Sequence, residues 1–170
     1  MKTLVRSFLT IAIALLFMAD TTHAQQTAKQ IKAAEKAAVI KDKITSGRYT
    51  FVAQYALPMR GGQRYLTSDY DLKVRKDSVI AELPYFGRVY MNAPMNPDEA
   101  GINFTSTKFD YVITDKKKGG WDIVITLHDV QRNNKLRLDV YADGTATLQA
   151  LSNTRDQIRF TGYIKEGKGK

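Results

Sequence analysis

Three features of the 170-residue sequence predict a mainly β fold, an antiparallel meander closing into a barrel or strongly curved sheet behind one N-terminal helix. From Tyr49 onward, apolar residues recur at every second position in about ten short runs. Turn signals separate these runs at roughly 8–12-residue intervals, the spacing of all-β sandwiches and barrels. No helix-length segment interrupts them, so sequence neighbours are expected to pair antiparallel.

The chain begins with Lys2 and Arg6, an apolar run from Phe8 to Ala19, and Thr22-His23-Ala24 with small residues at the −3 and −1 positions. That order is a secretory signal peptide spanning residues 1–24, with cleavage expected before Gln25. The apolar run is too short for a bilayer-spanning helix, which needs about 20 residues. Cleavage leaves 146 residues and removes Lys2, Arg6 and Asp20, taking the formal charge from +9 to +8. What remains is the size of one ordinary domain.

Residues 25–46 are expected to carry a helix packed on that domain. Thr27 and Gln30 have capping-box spacing, and Ser46-Gly47 supplies a stop. Ala33, Ala37, Ile40 and Ile44 form an apolar stripe at helical spacing. Lys29, Lys32, Lys36 and Lys43 fall within about 60° of one another on another face. That face reads first as a solvated one and, more sharply, as an anion-binding edge.

The period then becomes two. Tyr49, Phe51, Ala53, Tyr55 and Leu57 alternate with more polar residues before a loop from Pro58 to Gly62. Leu66, Ser68, Tyr70, Leu72 and Val74 lead through Lys76-Asp77 to Val79, Ala81 and Leu83. Ile102 and Phe104, then Phe109, Tyr111 and Ile113, precede a Lys-rich turn ending in Gly119-Gly120. Trp121 to Leu127, Leu136 to Val140, Ala146 to Ala150 and Ile158 to Ile164 complete the pattern, with Asp143-Gly144 a strong hairpin signal. Residues 47–164 thus read as a single β domain, and 165–170 as a disordered lysine–glycine tail. Small residues on the expected inner face (Ala53, Ala81, Ala146, Ala150, Gly162) leave room for a cavity or for the docked helix.

One stretch breaks the alternation. Leu83-Pro84-Tyr85-Phe86-Gly87-Arg88-Val89-Tyr90 sets a proline and a glycine among three aromatic rings. Pro84 has no ladder donor and Gly87 adds freedom, so the chain is expected to bend or bulge. Read structurally, the rings plug a barrel corner, and Arg88 caps it through carbonyls or by stacking on a ring. Read functionally, Tyr85, Phe86, Arg88 and Tyr90 are ligand-binding candidates, a platform suited to sugars and anions.

LPYFGRVY, followed by Gly101-Ile102-x-Phe104, resembles the exported bacterial family catalogued as domain of unknown function 4251. Tyr70-x-Leu72, Trp121-x-Ile123 and Arg155-x-x-Ile158-x-Phe160-x-Gly162-x-Ile164 agree with it, so the resemblance runs from about Gly47 to Ile164. It implies an exported protein, typical of Bacteroidetes, with one β-rich domain. It brings no catalytic residues.

Constellations for chemistry are scarce. There is no cysteine, which excludes disulfides, thiol nucleophiles, thiolate metal sites and a lipidated cysteine at the cleavage site. His128 is the only histidine after the leader, and Ser78, Ser106 or Ser152 would have to fold next to it to make a Ser-His-Asp device. Zinc needs several His or Cys ligands, and Asp69-x-Asp71 reads as a solvent face. No catalytic or metal residues and no cofactor are expected. The expected function is a non-enzymatic binding module of the periplasm or exterior, lipocalin-like in general form, for a small molecule, lipid or glycan, with an anionic ligand or a glycan as the expected partner. A carboxylate-dependent hydrolase of envelope glycans or lipids and a protein-interaction module are the alternatives. Nucleic acid and a stable membrane anchor are not expected.

Overall fold

The computed structural model describes residues 28–91, 101–117, 119–131 and 134–165. The leader, Thr27 of the capping box and the tail beyond Lys165 lie outside them. Residues 28–46 form helix α1. Residues 28–36 and the chain from Ala37 onward fall into separate compact units, and every strand belongs to the second.

Among the described residues, nine antiparallel strands make one sheet: β1 (Tyr49–Pro58), β2 (Arg64–Val74), β3 (Val79–Leu83), β4 (Ile102–Ser106), β5 (Phe109–Asp115), β6 (Trp121–Leu127), β7 (Lys135–Val140), β8 (Thr145–Leu151) and β9 (Ile158–Ile164). Their order is β4-β3-β2-β1-β9-β8-β7-β6-β5. The chain therefore meanders, and its first and last strands pair with each other, giving a nearly closed barrel.

Strand direction explains the two edges. Each neighbour in the order is antiparallel, so β4 and β5 at the ends run the same way. Only Thr107-Lys108 separates them. They are two halves of one bent strand, the first half paired with β3 and the second with β6. With β4 and β5 merged the barrel has eight staves, and an even number is what an antiparallel meander needs to close on itself.

Asp129, from the β6–β7 connection, staples the break. Its carboxylate accepts from the main-chain amides of Thr107 at 2.8 Å and Lys108 at 3.2 Å, and from the buried Ser106 hydroxyl. These bonds, Ser106 foremost, pull its pKa down to about 2.

Alternation fills the interior. Trp121, Ile123, Ile125 and Leu127 point inward from β6, facing Leu136, Leu138 and Val140 on β7. Phe51 and Phe160 are fully buried, and Ile40 and Ile44 of α1 join the same core. Of the expected helix stripe, Ala37 is half-buried and Ala33 exposed. Space left by small side chains is thus taken partly by the helix. A row of small residues, Ala146–Gly162–Ala53, crosses β8, β9 and β1 where the barrel closes.

The alternation expected for β1 breaks at Gln54. A bulge between Ala53 and Tyr55 shifts the register against both neighbours. Ala53 and Ala56 are both buried as a result, while Tyr55 and Leu57 turn out to half-buried positions. Tyr55 then meets Tyr65 of β2 edge-to-face outside, with ring centroids 5.3 Å apart. On β2, Ser68 is exposed rather than inward.

Candidate functional site

The two ends of the barrel carry different chemistry. At one end lie the β1–β2, β3–β4 and β8–β9 connections; at the other lie the end of α1, the β2–β3 turn and the end of β9.

LPYFGRVY occupies the first end. After Leu83 the chain leaves β3 and lies antiparallel along residues 154–156, with a bridge between Val89 and Arg155. Tyr90 N donates to Thr154 O at 2.8 Å, and Asp156 N to Arg88 O at 2.9 Å. The Tyr85 hydroxyl lies 2.9 Å from the carbonyl oxygen of Arg88 and 3.0 Å from that of Asp156. The Tyr90 hydroxyl donates to the Asp156 carboxylate. Burial pushes the Tyr85 pKa up to about 12. The Tyr90 bond holds the Asp156 carboxyl below its ordinary range.

The arginine expected to cap this corner is a different one. Arg88 is exposed and contributes its main chain. Arg155, only 6% exposed, lays its guanidinium 4.6 Å from the centre of the Tyr85 ring and donates to Gly101 O at 3.4 Å. Arg64 of β2 sits 4.6 Å over the half-buried Phe86 ring. Arg155 was visible in sequence only as part of the resemblance motif. Its pairing with Tyr85, 70 positions away, follows from the docking of two loops.

His128 and Ser106 take different carboxylate partners. Ser106 bonds to Asp129 while His128 Nε2 lies 2.8 Å from Asp110 Oδ2, so the two pairs are separate. Among the described residues, no three His, Cys, Asp or Glu side chains converge as a metal site. Among them also, no helix is long and apolar enough to cross a membrane.

The opposite end holds a pocket of about 530 Å³ lined by Lys43, Arg48, Tyr49, Thr50, Arg75, Lys76, Asp77 and Lys165. Its construction begins at Gly47, whose φ of 63° lets α1 end in a left-handed turn. Arg48 N bonds to Lys43 O and Gly47 N to Ile44 O, each at 3.2 Å, which is the Schellman closure. Arg48 is thereby brought out beside Lys43. Arg75 leaves β2 with its guanidinium on Val74 O at 2.9 Å and Tyr49 O at 3.3 Å. Lys165 N bonds to Thr50 O, and its carbonyl receives Lys43 Nζ at 2.7 Å.

Among the described residues, five cations thus share this pocket with one carboxylate, Asp77. Behind them Tyr49 is 3% exposed and bonds through its hydroxyl to Tyr111, 3.3 Å away. Burial raises the Tyr49 pKa well above the ordinary phenol value. Of the five cations only Lys43, on the lysine face of the helix, carried an anion-binding reading in the sequence. Arg48, Arg75, Lys76 and Lys165 come from segments that only barrel closure brings together. A smaller cavity of about 250 Å³ lies among Leu57, Pro58, Met59, Gln149, Gln157, Ile158 and Arg159.

Fold and site together define a small up-and-down β-barrel with one basic end. The chain belongs to the family described as domain of unknown function (DUF4251), whose profile matches residues 31–164. A crystal structure of a DUF4251 family protein from Bacteroides eggerthii DSM 20697 is similar to it, with 12% sequence identity and a TM-score of 0.58 over 77% of this chain and 87% of that one. At that identity the likeness speaks for the fold. Among curated proteins there is no match.

Proposed function

We propose that the protein is an exported, non-enzymatic binding module of the cell envelope whose ligand is anionic. The carrying observation is the pocket in which, among the described residues, Lys43, Arg48, Arg75, Lys76 and Lys165 oppose Asp77 alone. Clustered cations in a concave site attract an anion and raise its local concentration. The leader-like residues 1–24 support export. At LPYFGRVY the tyrosine hydroxyls are already engaged by residues of the motif itself and of the β8–β9 loop, which favours the basic end as the ligand surface. Neither of the two described cavities brings two carboxylates together, so the hydrolase alternative gains no support from them.

Calorimetric titration of the purified chain with glucuronate, glucose 6-phosphate and glucose tests this reading. At least one acidic sugar should bind, more weakly as sodium chloride is raised, and glucose should not. Binding of glucose alone would defeat it, and so would no binding either to these sugars or to anionic lipid vesicles. Export has its own check. Intact-mass analysis from the native host should show a chain beginning at or near Gln25 without added lipid, and a chain retaining Met1 would refute export.

A further inference from the structure

We infer that the group held by the basic pocket is a phosphate ester or polyphosphate, and that it ties the end of α1 to the strand ends of the barrel. The inference rests on the anion-binding reading and narrows it. A carboxylate brings a single charge, whereas a phosphate monoester carries about −1.5 to −2 at neutral pH with three acceptor oxygens. The excess of cations over Asp77 suits the second. Arg48 and Arg75 supply planar forks that match phosphate oxygens two at a time, and the lysines supply point charges. The volume of about 530 Å³ lies within the range of organic-ligand sites, about 300–1,000 Å³. That is room for a phosphate carried on an organic group or on a second phosphate.

Placement gives the mechanical consequence. Lys43 and Arg48 stand at the end of the helix, Arg75 and Lys76 at the β2–β3 turn, and Lys165 just past β9. Like charges this close repel within a Debye length of about 8 Å at physiological salt. Lys43 and Arg75 are held in place by main-chain carbonyls, so the site is organised without ligand. A polyanion would replace that repulsion with bridges between segments far apart in sequence. Any ligand that binds only the folded chain also raises its melting temperature.

A soluble phosphorylated metabolite and a phospholipid headgroup share this chemistry, and one set of measurements separates them. Melting temperature and calorimetric affinity are read for the full chain with pyrophosphate, glucose 6-phosphate and glucuronate. Cosedimentation is read with phosphatidylglycerol–phosphatidylcholine vesicles and with phosphatidylcholine vesicles. The informative variant combines Arg48→Gln with Lys76→Gln, two exposed side chains that carry no hydrogen bond among the described residues. Lys108→Gln with Lys135→Gln, two exposed lysines that do not line the pocket, is the charge-matched control.

Phosphate probes should raise the melting temperature and bind at least tenfold tighter than glucuronate. The double variant should weaken them by about tenfold per cation removed, the scale of a lost charge-assisted hydrogen bond, and the control should leave them unchanged. Binding to the soluble probes would assign a metabolite. Binding confined to the anionic vesicles, and lost in the double variant, would assign a headgroup. Glucuronate binding as tightly as the phosphates overturns the inference and leaves the anion-binding reading standing. Phosphate binding equal in wild type and double variant also overturns it, because the ligand then sits elsewhere. Failure of every anionic probe overturns both.

Discussion

A side chain on Gly162 of β9 would overlap the carbonyl oxygen of Val52 on β1, its Cβ lying 2.9 Å from the carbonyl carbon. The clash is with backbone, so no rotamer relieves it. Gly162 pairs with Ala53 on one side and Ala146 on the other, in the small-residue row where first and last strands join. Gly162→Ala should therefore cost at least the roughly 1–3 kcal/mol typical of overpacking, read as a lower denaturant midpoint. A midpoint equal to wild type would show that this seam is not tight.

At the aromatic end, Arg155 and Arg88 should behave oppositely. Arg155→Ala removes a buried guanidinium from the Tyr85 ring and from Gly101 O, and should lower stability by about 2–3 kcal/mol. Arg88→Ala, at an exposed position, should stay within about 0.5 kcal/mol of wild type. Thermal melts of the two variants side by side decide the assignment, and equal losses would refute it.

Phe86→Ala is the companion test. Truncating a fully buried Phe costs about 3–5 kcal/mol, but this ring is half-buried beneath Arg64. A loss of about 1–3 kcal/mol is expected. No loss in a chemical melt would mean that the ring does not hold the loop.

Asp129 makes the fold acid-sensitive. Its folded pKa, about 2, lies below the ordinary 3.8, so its contribution is fully present above about pH 4 and disappears as pH falls toward 2. Asp129→Asn keeps the shape and removes the titration. The stability difference between wild type and variant should shrink as pH falls through that window. A difference independent of pH would mean that the Asp129 carboxylate is not the group involved.

Buried Tyr49 and half-buried Tyr111 give a last test. The Tyr111 hydroxyl donates to Ile44 O at 3.0 Å and lies 3.3 Å from that of Tyr49. Tyr111→Phe leaves the Tyr49 hydroxyl buried without this partner, a cost of about 1–3 kcal/mol. A urea midpoint unchanged from wild type would show that the pair does not help hold α1 in place.

Local chemistry determined what the sequence by itself could tell. Period-two alternation in Trp121 to Leu127, Leu136 to Val140 and Ala146 to Ala150 named both the strands and their inward faces, because a side chain's face in a strand depends on its neighbours alone. Asp143-Gly144 announced its hairpin, and Gly144 has the positive φ, 82°, that such a turn requires. Three matters were left to the tertiary structure. The bulge at Gln54, which sends Ala56 inward in place of Tyr55, arises from pairing with β2 and β9 at once. The merging of β4 and β5 into one bent strand depends on the whole order of the sheet. The basic pocket joins Lys43 to Lys165 across a separation of 122 residues. Periodicity carries no information about such a distance, because the residues become neighbours only when the last strand closes against the first.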